Sequence, residues 1–338
     1  MRNILIIVIA IVGLMFSCNS NSDSTKATLN KPLDSLSIPG ISSEIRKTPK
    51  NAELFMRRAE LYFYKMFLDS AINDAIISTR LDSLKPEYFI RLSEFYLSNG
   101  KSEDSKLTLE KCNRINPNNE DVLVKLGTLY FYVKDYKKAT EYLDLAASVN
   151  PNCATMFFVR GMIHRDKKDN KAAILNFQKA TENNSEYYEA YMMLGMLFSE
   201  MKDSIAIQYY KTASNLNPTD VQPHYNLGMY YQENGQFDQA LYEYQYILKN
   251  IDKSNSYAYF NQGYIHMIYA TDYVTSIQYF DSAIAAKPDY VEAIYNKGYC
   301  YEKLKNFEKA RNFYNQAKDM VTNYQLAVDG LNRVDKKK

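Results

Sequence analysis

Tryptophan is absent from this sequence, histidine occurs three times and cysteine four times. Glycine and proline are also scarce, at 11 and 9 residues, against 31 tyrosines and 16 phenylalanines. That balance disfavours a loop-rich or all-β chain and points to helices packed through aromatic side chains. An excess of charge of either sign is lacking too, since 41 basic residues face 39 acidic ones for a net charge of +2. With no long-range field to draw it in, nucleic acid is not expected as a partner. What is present is 46% hydrophobic and 24% charged, enough apolar material for a sizeable core in 338 residues.

The longest apolar run lies at the start of the chain. It spans Ile4 to Phe16, follows the basic residue Arg2, and ends on Ser17 directly before Cys18. These are the three parts of a secretory signal, and the run is too short for the roughly 20 residues that a spanning helix needs. The stretch Leu14-Met15-Phe16-Ser17-Cys18 resembles the lipobox of bacterial lipoproteins, with Met15 and Phe16 departing from its commonest residues. The resemblance implies cleavage before Cys18 and acylation of that residue, palmitate included. Residues 1–17 are thus expected to be a signal peptide and Cys18 a lipidated N-terminus, because several acyl chains anchor a protein stably where one does not. From Asn19 to about Ile45 the chain is rich in Ser, Asn, Asp, Lys and Thr, and Pro32, Pro39 and Gly40 interrupt any helical pattern. Residues 18–45 therefore read as a flexible tether.

The rest of the sequence repeats. Gly127, Gly161, Gly195, Gly228, Gly263 and Gly298 are 34, 34, 33, 35 and 35 residues apart. Pro117, Pro151, Pro218 and Pro288 each fall ten residues before one of these glycines, where proline ends one helix and lets the next begin. Twelve residues beyond the glycine comes a small residue in Ala139, Ala173, Ala240 and Ala310, with Ala206 one short and Ser276 one beyond. Seven further on stand Ala146, Ala180, Ala213, Ala283 and Ala317, with Ile247 as the exception. Leu123, Leu126, Gly127 and Tyr130 mark one apolar helix face, and Ala139, Leu143 and Ala146 mark a second. One unit is therefore a pair of antiparallel helices that must stack on its neighbours to bury both faces.

These residues closely resemble the tetratricopeptide repeat family, with a bulky residue, then Leu-Gly, then Tyr, followed by Ala, an aromatic, Ala and Pro. The resemblance covers residues 46–324 as eight units beginning near Ala52, Pro86, Glu120, Ala154, Tyr188, Val221, Ser256 and Val291. Ala59 and Ser93 replace the glycine in the first two. Residues 325–338 read as a polar capping helix and basic tail. The implied fold is all-α, a right-handed α-solenoid of about eight helical hairpins.

No catalytic constellation emerges. His164 and His266 stand where other units place Tyr62, Tyr130 or Tyr301, and His224 stands where others place Leu123 or Ile294, so packing explains all three. Beyond Cys18 the thiols Cys112, Cys153 and Cys300 form no C-x-x-C pair. Walker-type, G-x-S-x-G and H-E-x-x-H motifs are missing. Neither an enzyme nor a cofactor, metal or small-molecule substrate is expected.

In the resembling family the first helices of successive repeats line a concave groove. In this register one row is Met56, Ile90, Val124, Phe158, Met192, Tyr225, Phe260 and Tyr295. A second row is Glu60, Glu94, Thr128, Met162, Met196, Met229, Tyr264 and Tyr299. A third runs from Arg57, Arg91 and Lys125 to Asn226, Asn261 and Asn296. The basic members each follow an acid by four residues, Glu53, Glu87 and Asp121, and read as self-paired within their helices. The asparagines could bond a peptide backbone with both amide groups, and the aromatic and Met side chains offer apolar area. The expected partner-binding groove is therefore Phe158, Met192, Met196, Tyr225, Asn226, Met229, Phe260, Asn261, Tyr264, Tyr295, Asn296 and Tyr299. The Lys-then-Asn signature of chaperone-tail binders is absent, since Met56 with Glu60 and Ile90 with Glu94 occupy those sites. The expected function is a lipid-anchored adaptor that holds an extended peptide or helix of a protein partner in the bacterial cell envelope, at the inner or outer membrane and facing the periplasm. The alternatives are a structural subunit of an envelope assembly or secretion machine, and a non-catalytic partner of an envelope enzyme.

Overall fold

The computed structural model describes residues 37–337 as eighteen α-helices, with no strand among the described residues. The chain divides into two units between Ala190 and Tyr191. The first contains α1 (Ile38–Lys47), α2 (Ala52–Tyr64), α3 (Leu68–Leu81), α4 (Pro86–Ser98), α5 (Ser102–Ile115), α6 (Glu120–Tyr132), α7 (Tyr136–Val149), α8 (Ala154–Asp166) and α9 (Asn170–Asn183). The division falls within α10 (Tyr188–Glu200). The second unit continues with α11 (Ile205–Leu216), α12 (Val221–Glu233), α13 (Phe237–Tyr246), α14 (Ser256–Ile268), α15 (Tyr273–Ala286), α16 (Val291–Lys303), α17 (Phe307–Met320) and α18 (Gln325–Asp335). The first helix of each repeat starts at the residue that the 34-residue register gives, from Ala52 to Val291. Within each unit successive hairpins stack in the manner of an α-solenoid.

The hairpin turn follows from local chemistry. In every repeat one residue after the first helix adopts a left-handed conformation, among them Lys134 at φ 61° and Gly235 at φ 73°. The next residue then returns a backbone bond to the helix, as Asp135 N does to Tyr130 O at 2.9 Å, closing a Schellman-type end. Asp135, Asp169, Asp272 and Asn306 also accept a backbone N–H through their side chains and so cap the second helix.

The glycine ladder is where the two helices of a hairpin touch. A Cβ on Gly161 would lie 2.6 Å from the Phe177 ring, and one on Gly228 would lie 2.6 Å from Tyr244. The large residue about sixteen positions on thus rests on bare backbone. Ala59 takes the glycine position in the first repeat because its counterpart sixteen residues on is only Ala75, and both are fully buried in one cluster. The 35-residue step from Gly228 to Gly263 carries an extra residue, which α13 absorbs by opening into a π-helical turn over Ile247–Ile251. That is where Ile247 stood out among the alanines.

The tether expected over residues 18–45 is corrected at its C-terminal end, because residues 38–47 form α1. Pro39 falls in the first turn, where a missing N–H leaves nothing unsatisfied, and Ser37 caps by accepting from Gly40 N at 3.1 Å. Ile41 and Ile45 then bury in a cluster with Phe55 and Leu61. At the other terminus α18 docks through Arg333, which bonds Glu302 at 2.9 Å, while Tyr314 Oη donates to the same carboxylate at 2.6 Å. Residues 1–36, with Cys18, and Lys338 lie outside the described residues.

Candidate partner-binding face

In the first unit the first-helix residues are largely consumed by the fold. Met56, Val124 and Phe158 are 7%, 4% and 3% exposed. Phe158, expected to line the groove, instead packs between Phe177 and Tyr187, with ring centroids 5.4 and 5.0 Å away. The charged rows interlock. Arg57 pairs with Glu53 four residues earlier at 2.7 Å, as its helix position suggested. Arg91, expected to pair with Glu87, instead donates through Nε to Glu60 at 2.5 Å and also bonds Glu94. Lys125 reaches Glu94 at 2.9 Å. A carboxylate of one hairpin thus meets a cation of the next, giving the ladder Glu60–Arg91–Glu94–Lys125. Burial alone would pull the Arg91 guanidinium down, but the bonds and charges of Glu60 and Glu94 push it well above its ordinary value. Glu94 is 7% exposed, a burial that two flanking cations make tolerable.

In the second unit the same positions carry rings and amides. Tyr225, Phe260 and Tyr295 are half-buried, and each ring is held from two sides. One side is a ring of the second helix, namely Tyr244, Phe280 or Tyr314 at 6.1, 5.8 and 5.5 Å. The other is a tyrosine at the start of the following hairpin or cap, Tyr257, Tyr290 or Tyr324 at 6.4, 4.9 and 5.9 Å. Part of this row's aromatic character is therefore spent joining hairpins. Met192 is 8% exposed and belongs to the core. Met196, Met229, Tyr264 and Tyr299 are half-buried, with no ion pair among the described residues to close over them. Lys303 Nζ lies 4.9 Å from the Tyr299 ring centre.

The asparagines differ from one another. Asn261 is 7% exposed and donates its amide to Tyr225 Oη at 3.3 Å, and Asn296 is equally enclosed. Asn226 is more accessible, and its carbonyl oxygen accepts from Gln222 Nε2 at 2.7 Å. Its side chain also bonds Tyr210, so the paired amide bonding expected of all three is largely taken up within the fold. Tyr257 and Tyr290 were not singled out in the sequence. Their signal was an aromatic about one repeat after an aromatic first-row residue.

Two of the histidines are held by packing contacts. His224 Nδ1 lies 2.7 Å from Glu243 and the ring stacks on Tyr246 at 4.2 Å, while His266 stacks on Tyr279. No group of three potential metal ligands occurs among the described residues. Cys112 and Cys300 are free thiols, and burial pushes them up to about 11 and about 12, which leaves them protonated and inert.

Sequence patterns that define the tetratricopeptide repeat match residues 86–119, 124–188, 209–242 and 267–328, together more than half of the chain. The chain belongs to the tetratricopeptide repeat family. Such repeats make it a protein–protein interaction scaffold, of a fold that is typically non-catalytic. Among solved structures it is similar to the C-terminal part of a tetratricopeptide repeat protein from Cytophaga hutchinsonii, at 20% identity and a TM-score of 0.61, covering 71% of this chain and 98% of that one. It is also similar to the human IFIT1 dimer with m7Gppp-AAAA, at 15% identity and a TM-score of 0.51, covering 85% and 77%. Both likenesses concern the fold alone. A curated relative, the uncharacterized protein ycf37 of Guillardia theta, is 28% identical over 117 residues, and the match spans 33% of this chain and 65% of that protein.

Proposed function

We propose that this tetratricopeptide repeat chain is a lipid-anchored adaptor of the bacterial cell envelope, whose second unit holds an extended segment or helix of a protein partner. One observation carries the placement of the site. Met229, Tyr264 and Tyr299 leave half-buried apolar surface on successive first helices, whereas the equivalent Glu60 and Glu94 of the first unit are held in ion pairs.

The anchor rests on the apolar run that ends at Ser17-Cys18. No helix among the described residues is long and apolar enough to cross a membrane. Cys18→Ser is expected to move the protein from the membrane to the soluble fraction, and a variant that stays membrane-bound and uncleaved would remove the anchor from the account. For the partner, Tyr264→Ala with Tyr299→Ala should weaken capture about thirtyfold, the equivalent of roughly 2 kcal/mol at an aromatic anchor. Phe260 and Tyr295 suit this test less well, because their rings also join neighbouring hairpins.

A further inference from the structure

The turn between α2 and α3 departs from the pattern of the other hairpin turns at two positions. The left-handed residue is glycine, lysine or threonine elsewhere, but here it is Met66, at φ 63° and 74% exposed. The next residue is polar in the other seven turns and often caps the second helix. Here it is Phe67, 57% exposed, making one edge contact with Tyr62 and no capping bond. Tyr64, two residues before Met66, matches Tyr132 of the third repeat in type but is 81% exposed against 43%. A lost cap costs about 1 kcal/mol. The fold needs neither apolar side chain, since lysine, glycine or threonine followed by a polar residue serves in the same turn elsewhere. Rules broken locally without structural gain mark function.

The occupant follows from where the chain enters the body. α1 runs antiparallel to α2, with Arg58 donating to Ser42 Oγ at 2.9 Å and Ile41 and Ile45 sharing a cluster with Phe55 and Leu61. Ser37 therefore lies at the same end of α2 as Tyr64 to Phe67. The segment leading back to Cys18 joins the body beside this apolar tip, and Cys18 is no more than about 65 Å of extended chain away. Exposed Lys65 sits within the tip, and the nearby Asp69 carboxylate is held by Asn99 and Lys101.

We propose that Tyr64, Met66 and Phe67 form an insertion tip that dips into the lipid surface to which the chain is anchored, with Lys65 at the headgroups. The proposal rests on the anchor reading above. Phenylalanine and methionine side chains suit the acyl boundary, while tyrosine and lysine suit the interface. The lipid at Cys18 then sets the distance to the membrane and the tip sets the orientation of the first hairpin.

The chain has no tryptophan, so Met66→Trp provides a single fluorescent reporter. The acylated full chain with this substitution is reconstituted into vesicles of phosphatidylethanolamine and phosphatidylglycerol, with acyl-brominated lipid as quencher. Tyr242→Trp, at a site 65% exposed in the second unit, is the control. The expected result is emission from the Met66→Trp chain that is blue-shifted by vesicles and quenched by brominated lipid, with the control unaffected. Adding Tyr64→Ser and Phe67→Ser should move the emission back toward that in water while far-ultraviolet circular dichroism stays unchanged. An unshifted, unquenched reporter in vesicle-bound protein overturns the proposal, as does a shift produced by a soluble protein and not by lipid. If that result is found while Cys18→Ser still releases the chain in cells, the tip fails and the anchor stands. A quenched reporter in a chain whose Cys18→Ser variant stays membrane-bound and uncleaved has the opposite meaning.

Discussion

The two units join their hairpins with different side chains at equivalent positions. In the first, Glu60 and Glu94 each meet a cation 31 residues further on, so a carboxylate on one first helix is neutralised by the next. In the second, Phe260 and Tyr295 each meet a tyrosine about 30 residues further on. Both devices fix the register of one hairpin against its neighbour. They differ in what they leave over. An ion pair neutralises both groups, and opening it to a ligand would strand a buried charge. A stacked ring keeps an edge and a face available. The comparison therefore separates a face closed by its own charges from a face that retains apolar area.

Substitutions can break this contrast in order of size. The glycine contacts are common to both units, so Gly161→Leu and Gly228→Leu should each destabilise by about 2–3 kcal/mol through overpacking against Phe177 and Tyr244, read as a fall in the urea midpoint. An unchanged midpoint in either would contradict the contact. Next comes partner capture, where Tyr264→Ala with Tyr299→Ala should lose about 2 kcal/mol of binding while Arg57→Ala loses little. Capture that depends on Arg57 and tolerates loss of the tyrosines would move the site to the first unit.

Glu94 and Tyr264 hold the same repeat position, which allows a direct stability comparison. Glu94→Ala removes the carboxylate that Arg91 and Lys125 share and should cost about 1–2 kcal/mol, whereas Tyr264→Ala should cost less than about 1 kcal/mol. Equal losses would mean that the ladder is not what holds the first unit's face. The smallest effect concerns the cap. Burial raises the Glu302 carboxyl, but bonds from Arg333 and Tyr314 and the Arg333 charge outweigh it and hold the group below its ordinary value. A lowered carboxyl contributes stability above the ordinary carboxylate range and loses it as pH falls through the folded-state value. Since Arg333 is 41% exposed, the contribution should not exceed about 1 kcal/mol. The protection factors of the α18 amides, with the intrinsic pH dependence of exchange divided out, should accordingly fall on acidification in the wild type, and Glu302→Gln should abolish that fall.

Much of the fold was legible because a 34-residue period is a one-dimensional signal. It placed the start of every first helix, and the Gly–Ala spacing marked the contacts within each hairpin. Pairing between hairpins was less visible. The i, i+4 rule assigned Arg91 to Glu87 because it considers one helix at a time, and the partner 31 residues back is a neighbour only after stacking. Ring pairs such as Phe260 with Tyr290 were hidden for the same reason, which made the first aromatic row look freer than it is. α1 is hard to see in the sequence although Ile38, Ile41 and Ile45 follow helical spacing, because Pro39 and Gly40 read as breakers, whereas proline in a first turn is compatible with a helix start.

The most direct test of the account is site-specific photocrosslinking in envelope membranes, with a photoreactive phenylalanine analogue placed at Tyr264, Tyr299, Arg57 or Lys125 in separate variants. The account predicts the same partner adduct from positions 264 and 299 and none from 57 or 125. An adduct confined to positions 57 and 125 would contradict it, because the partner would then lie on the face that the charge ladder closes.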